Sequence, residues 1–101
     1  MKIIKLIESP FKNKRFRVFL DNDKKYDFGL KNGSTYLDHG DKVKRQNYRR
    51  RHFNSVREKP FIENLIPSPS LFSYYLCWGD STSMEQNIKI LNKKMLTAKD
   101  E

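Results

Sequence analysis

The sequence predicts an α+β fold, a short antiparallel sheet of about three strands followed by about three helices. Three observations carry that expectation. The first third of the 101-residue chain alternates β-branched and aromatic residues with polar ones at period two. Beyond it, Val43 to Phe53 contains no Gly or Pro, and the stretch from Leu71 to Met95 repeats apolar residues every three to four positions. The two regimes are separated by the turn-forming run Lys31-Asn32-Gly33-Ser34.

Within residues 1–33, Lys2 to Ile7, Phe16 to Leu20 and Tyr26 to Leu30 read as strands. Phe16, Val18 and Leu20 alternate with Arg17 and Phe19, and Tyr26, Phe28 and Leu30 alternate with Asp27 and Gly29. Asp21-Asn22-Asp23 supplies the turn of a hairpin, because Asn and Asp tolerate left-handed backbone and bond their own main chain. A basic helix is expected over residues 38–59, capped by Asp38 or Asp41 and limited by Pro60. An aromatic helix follows over 68–79, with Ser68 as N-cap, Pro69 at the first helical position and Gly79 just past the end. Leu71, Tyr74, Tyr75 and Trp78 would form its stripe. A last helix over 82–96 opens on the capping-box pair Thr82 and Glu85 and presents Ile88, Leu91 and Met95, with Lys89, Lys93 and Lys94 outside. Thr97 to Glu101 should fray. The length suits one domain over residues 1–101.

Charge is the dominant compositional fact. Lys and Arg number 21 against 12 Asp and Glu, a formal net charge of +9. Such a chain attracts anionic partners, whether nucleic acid, an acidic protein surface or lipid headgroups. The imbalance concentrates between Asp41 and Lys59, where Lys42, Lys44, Arg45, Arg49, Arg50, Arg51, Arg57 and Lys59 face only Asp41 and Glu58. Like charges three and four apart destabilise a helix. Their accumulation therefore points to a partner, and Lys42, Lys44, Arg45, Arg49, Arg50, Arg51 and Arg57 are the expected partner-binding residues. The bland alternative is a solvated face.

Other candidates favour structural roles. Tyr48 and His52, four apart, would dock the basic helix on the sheet, although with Arg45 they could also form a recognition or proton-transfer cluster. Asp38-His39-Gly40-Asp41 reads as a cap and turn rather than a catalytic carboxylate–histidine pair. Phe72, Tyr74, Tyr75 and Trp78 could stack on bases, but at helical spacing beside Leu71 and Leu76 they read as core or interface. His39, His52 and Cys77 are the strong soft-metal ligands, and their spacing fits no zinc pattern, so no metal is expected. The four glycines are scattered and form no phosphate loop, and no serine stands in a nucleophile elbow. The expectation is a protein that is not an enzyme, with no cofactor and no small-molecule substrate. A lone cysteine suits a reducing compartment, and Met1 to Ile7 is too short and too charged for a secretory signal.

The order of motifs also carries a resemblance. Tyr26-Asp27-Phe28-Gly29, then Tyr36-Leu37-Asp38-His39-Gly40-Asp41, Arg45, Tyr48 with Arg51-His52, then Leu76-Cys77-Trp78-Gly79 and Asn87-Ile88, resembles a family of small basic proteins of mostly unassigned function encoded by nucleocytoplasmic large DNA viruses of algae and protists. The likeness runs from about Phe16 to Met95. It implies recurring structural positions at Tyr36, His39, Asp41, Tyr48, His52 and Trp78, together with Arg51. It further implies a virion component made in the host cytoplasm, a minor capsid protein that bridges or cements capsomers. Its partners would be the major and other minor capsid proteins, with nucleic acid or inner-membrane headgroups also open to the basic face. Sequence-nonspecific nucleic-acid binding is the alternative function.

Overall fold

The computed structural model describes residues 1–99 and has the expected α+β architecture. Strands β1 (Ile3–Glu8), β2 (Lys14–Leu20) and β3 (Lys25–Leu30) form one antiparallel sheet in the order β1-β2-β3. The β2–β3 turn is the anticipated Asp21-Asn22-Asp23, with Asp23 in the left-handed region at φ 67° and Asn22 Oδ1 accepting from the Lys24 N–H. One sheet face carries Val18, Leu20 and Phe28, all buried. Phe16, Phe28, Phe72 and Tyr26 form a chain of rings with centroids 5.6 to 5.9 Å apart, so a few large side chains fill much of the interior. Alternation stops at Gly29, whose φ of +79° favours glycine, and the next residue, Leu30, is exposed rather than in the core face.

The helical half departs from the expected boundaries in instructive ways. The anticipated 38–59 helix is three pieces: α1 (Tyr36–His39), α2 (Lys42–Phe53) and α3 (Lys59–Glu63). Gly40, left-handed at φ 63°, ends α1. Asp41 caps α2, its Oδ1 accepting from the Val43 and Lys44 N–H groups. Asp38 instead completes a capping box with Thr35 at the start of α1. Pro60 does not terminate the basic helix but sits in the first turn of α3, where its missing N–H costs nothing.

Ser68 caps α4 (Pro69–Phe72) as expected, and α4 then passes into a π-helical segment, Ser73–Cys77. That widened turn shifts the apolar stripe. The buried residues are Leu71, Phe72, Leu76 and Cys77, five apart in pairs, rather than Leu71, Tyr74, Tyr75 and Trp78. A π-helix closes i to i+5, and the Trp78 N–H accordingly donates to the Ser73 carbonyl. Helix α5 (Met84–Lys99) starts after Ser83, whose hydroxyl accepts from the Gln86 N–H. Ser83, not Thr82, is thus the cap. The helix continues through Thr97 to Lys99 where fraying was expected, and residues 100 and 101 of that expectation lie outside the described residues. Leu91 and Met95 are buried as the stripe required, and Ile88 packs against the same cluster.

Two asparagines fasten these layers. Asn92 accepts from the Ile3 N–H at 2.7 Å and donates to the Ile3 carbonyl at 3.1 Å, tying α5 to the first residue of β1. Asn87, 1% exposed, donates to the carbonyls of Leu76 and Ser81 and accepts from the Ser81 N–H, holding the chain that leaves the π-helix. Gly79 lies against this clamp. A Cβ there would sit 2.1 Å from the Tyr75 carbonyl oxygen and 2.7 Å from Asn87 Cγ, so glycine is required for space, not for backbone freedom.

Candidate anion-binding face

Helix α2 is unusual in burying none of its residues. With no apolar stripe to seat it, other contacts must hold it, and they run along one line. Arg45, Tyr48, Arg49 and His52, at the i, i+3, i+4, i+7 positions of one face, all point to the end of the π-helix or to its flanks. Tyr48 stacks on Trp78 with centroids 4.4 Å apart and planes within 10°. His52 lies on the other side of Tyr48 at 4.0 Å, and His39 packs against Trp78 at 5.4 Å. The docking surface for Tyr48 and His52 is therefore Trp78 and its neighbours rather than the sheet that the sequence suggested.

The two arginines on that line act as carbonyl ligands. Arg49 Nε–H donates to the Trp78 carbonyl at 2.8 Å, and its Nη2 pairs with Asp80 at 3.0 Å. Arg45 Nη1 donates to the Gly79 and Asp80 carbonyls while its guanidinium covers the Tyr36 ring at 4.5 Å. These carbonyls lie at the cap of the π-helix and just past its C-terminal end. Cations near a helix C-terminus also meet its partial negative charge favourably.

His39 accepts the Asp41 N–H on Nδ1 at 2.9 Å, which fixes its ring between α1 and α2. His52 donates from Nδ1 to Glu58 Oε2 at 2.6 Å, and Glu58 Oε1 accepts from the Ser70 hydroxyl at 3.1 Å. The serine thus bonds to the carboxylate and not to the imidazole, which is not the order of a nucleophile, base and orienting group. Tyr48 is held in its phenol form: burial first, then the negative charges that Cys77 and Glu58 would carry, raise its pKa. Burial likewise pushes the Cys77 thiol up to about 12. On the far side of α1, the Arg15 guanidinium, paired bidentately with Asp38 at 2.7 Å, holds that carboxyl well below the usual range.

What remains of the basic run faces solvent. Lys42, Lys44, Arg50, Arg51 and Arg57 are exposed, and none of them pairs with an acidic side chain among the described residues. Arg51 leans back over the Tyr48 ring, 5.8 Å from its centroid. The structure thus divides the expected partner-binding set. Arg45 and Arg49 are engaged inside the molecule, and the other five are free. In the sequence Glu58 stood out only as an acid beside an otherwise basic stretch and Asn87 only within the Asn87-Ile88 motif, and nothing marked the part that Asp80 plays. Among the described residues no three His, Cys, Asp or Glu side chains come together as a metal site, and no helix is long and apolar enough to cross a membrane.

Residues 4–52 match the model of a family of unknown function (DUF5754). The matched stretch contains the sheet, α1 and nearly all of α2, including Tyr48 and His52. It omits the half that supplies Trp78 and Asn87. Neither a curated protein nor a solved structure gives a significant match.

Proposed function

We propose that this chain is a binding protein, not an enzyme, and that it neutralises a phosphate backbone with the free face of α2 in a sequence-blind manner. The observation that supports this reading is the division of the basic helix. Two arginines and two aromatic residues moor α2 along one line, and the opposite side presents Val43, Asn47, Arg50 and Asn54 flanked by Lys42 and Lys44. Twelve residues give a rod about 18 Å long. A helix of ordinary diameter fits the major groove of a duplex, where flanking cations reach phosphates on either side. Docking through Arg49 and Tyr48 leaves those cations preoriented without occupying them.

The test is fluorescence anisotropy with a labelled duplex at low salt. Replacing Lys42, Lys44, Arg50 and Arg57 together by Gln should abolish retention while the fold is kept. Equal affinity of this variant and the natural chain would overturn the reading.

A second reading keeps the same cations but makes the partner acidic protein: a minor capsid protein cementing capsomers in the virion of a large DNA virus, as the resemblance to that viral family implies. Exposed apolar residues favour it, Val43 on the free face of α2 at 69% and Val56 beside Arg57 at 93%. Phosphates have no use for them, and a protein surface does. Mass spectrometry of purified virions decides this reading, which fails if the chain is absent from them.

A further inference from the structure

Beside the moored face of α2 lies a cleft of about 460 Å³, bounded by the end of β3, the loop before α1 and the α4–π segment. Its volume is that of a ligand site for a small molecule. No local pattern of residues announces such a cleft. Lys14 and Arg51 line this cleft with His52 and Ser73, and Leu30 and Pro69 form apolar wall.

The charges decide what the cleft can take. Glu58 is the acid in the lining, and both its oxygens are already engaged, Oε2 by His52 and Oε1 by Ser70. Neither Lys14 nor Arg51 has an acidic partner among the described residues. Arg51 is turned toward the cleft by its approach to the Tyr48 ring rather than outward with Arg50. The π-helical turn adds to this. By inserting a residue between Phe72 and Trp78, it brings Ser73 and Cys77 to the cleft wall while Leu76 stays in the core. Such turns recur at functional sites. A fork of guanidinium donors, an ammonium and a hydroxyl beside a satisfied carboxylate suit a doubly charged tetrahedral oxyanion, with an apolar wall for the body attached to it.

We propose that this cleft binds a phosphomonoester of nucleotide size, its phosphate held by Arg51 and Lys14 and its base or other body against Leu30 and Pro69. The assignment stands apart from the duplex-binding reading, since neither Arg51 nor Lys14 is among the cations assigned to the duplex. Two sources carry this chemistry, a free nucleoside monophosphate and the 5′-phosphorylated end of a strand.

Amide chemical shifts of the whole chain, titrated with inorganic phosphate, with adenosine monophosphate and with adenosine, test it. Saturable shifts centred on Ser73 and His52 are expected with the first two and not with adenosine. Arg51→Ala and Lys14→Ala, at exposed positions, should each weaken adenosine monophosphate about tenfold or more, whereas Lys89→Ala, at an exposed position of α5 away from the cleft, should leave it unchanged. A 5′-phosphorylated tetranucleotide that shifts the same residues, where its 5′-hydroxyl form does not, would support the proposal with a strand end as the source. Response to the mononucleotide alone would support it with a free nucleotide. No saturable shift in the cleft at millimolar phosphate and mononucleotide, or binding indifferent to both cleft variants, would overturn it.

Discussion

Replacing Arg49 and Arg50 one at a time by Ala separates mooring from partner binding within two adjacent residues. Both substitutions remove one positive charge from the same crowded helix and change helix propensity by the same amount. They differ in what the side chain touches. Arg49 gives a charge-assisted hydrogen bond to the partly buried Trp78 carbonyl at 2.8 Å, worth about 1.5–3 kcal/mol. Its pair with Asp80, whose side chain is 60% exposed, adds at most about 1 kcal/mol. Loss of Arg49 should therefore cost about 2–3 kcal/mol. For a domain of this size that lowers Tm by about 8–24 °C. Arg50 is exposed and unpaired among the described residues, so its removal should stay within about 0.5 kcal/mol. Thermal unfolding followed by far-ultraviolet circular dichroism, with near-ultraviolet ellipticity reporting on Trp78, measures both. Equal losses for the two variants, or a larger one for Arg50, would refute the division of the basic helix.

Three further outcomes follow from the packing. Gly79→Ala should destabilise by about 2–3 kcal/mol or more in urea titration, because its Cβ would meet the Tyr75 carbonyl oxygen at 2.1 Å and displace the clamped Asn87; an unchanged midpoint would contradict the steric account. Asp38 is held below its unfolded value of about 3.9, chiefly by Arg15, so its stabilisation is complete above about pH 5 and fades as pH falls toward its folded pKa. Asp38→Asn should accordingly flatten the loss of stability between about pH 5 and 2, and a curve parallel to that of the natural chain would show that the pair contributes nothing. Cys77 is 1% exposed with its thiol pushed up to about 12, so an aromatic disulfide reagent should leave it unmodified until denaturant is added; rapid reaction of the folded protein would place the thiol at the surface.

Much of the fold was legible because local chemistry and tertiary demand agree there. Val18, Leu20 and Phe28 alternate because one sheet face is buried, and Ser68-Pro69 announces a helix start in any context. The boundaries that failed are those set by distant partners. Nothing near Phe53 ends the basic helix as a proline would; Glu58 reaching back to His52, and to Ser70 twelve positions on, fixes the turn after it. The π-helix is invisible to a 3.6-residue stripe, since Leu71, Phe72, Leu76 and Cys77 conform to neither helical nor strand spacing.

The basic run was legible as a charge excess but not as two sets. Arg45 and Arg49 differ from Lys42 and Arg50 only in the direction they face, and that direction depends on carbonyls some thirty residues away. Sequence could show that Tyr48 and His52 share a helix face with Arg45. It could not show that the face meets Trp78 instead of the sheet. The cleft beneath that face joins residues from Lys14 to Trp78, and no local pattern announces it.

The central claim, that the free cations of α2 and of the turn after it neutralise a phosphate backbone, is tested most directly by the salt dependence of duplex binding. Engagement of Lys42, Lys44, Arg50 and Arg57 should give a slope of log affinity against log salt near −3.6, that is about −0.9 for each phosphate neutralised. The Arg50→Gln variant should reduce the magnitude by about one step. A slope near zero, or one unchanged when Lys42, Lys44, Arg50 and Arg57 are all replaced by Gln, would contradict it.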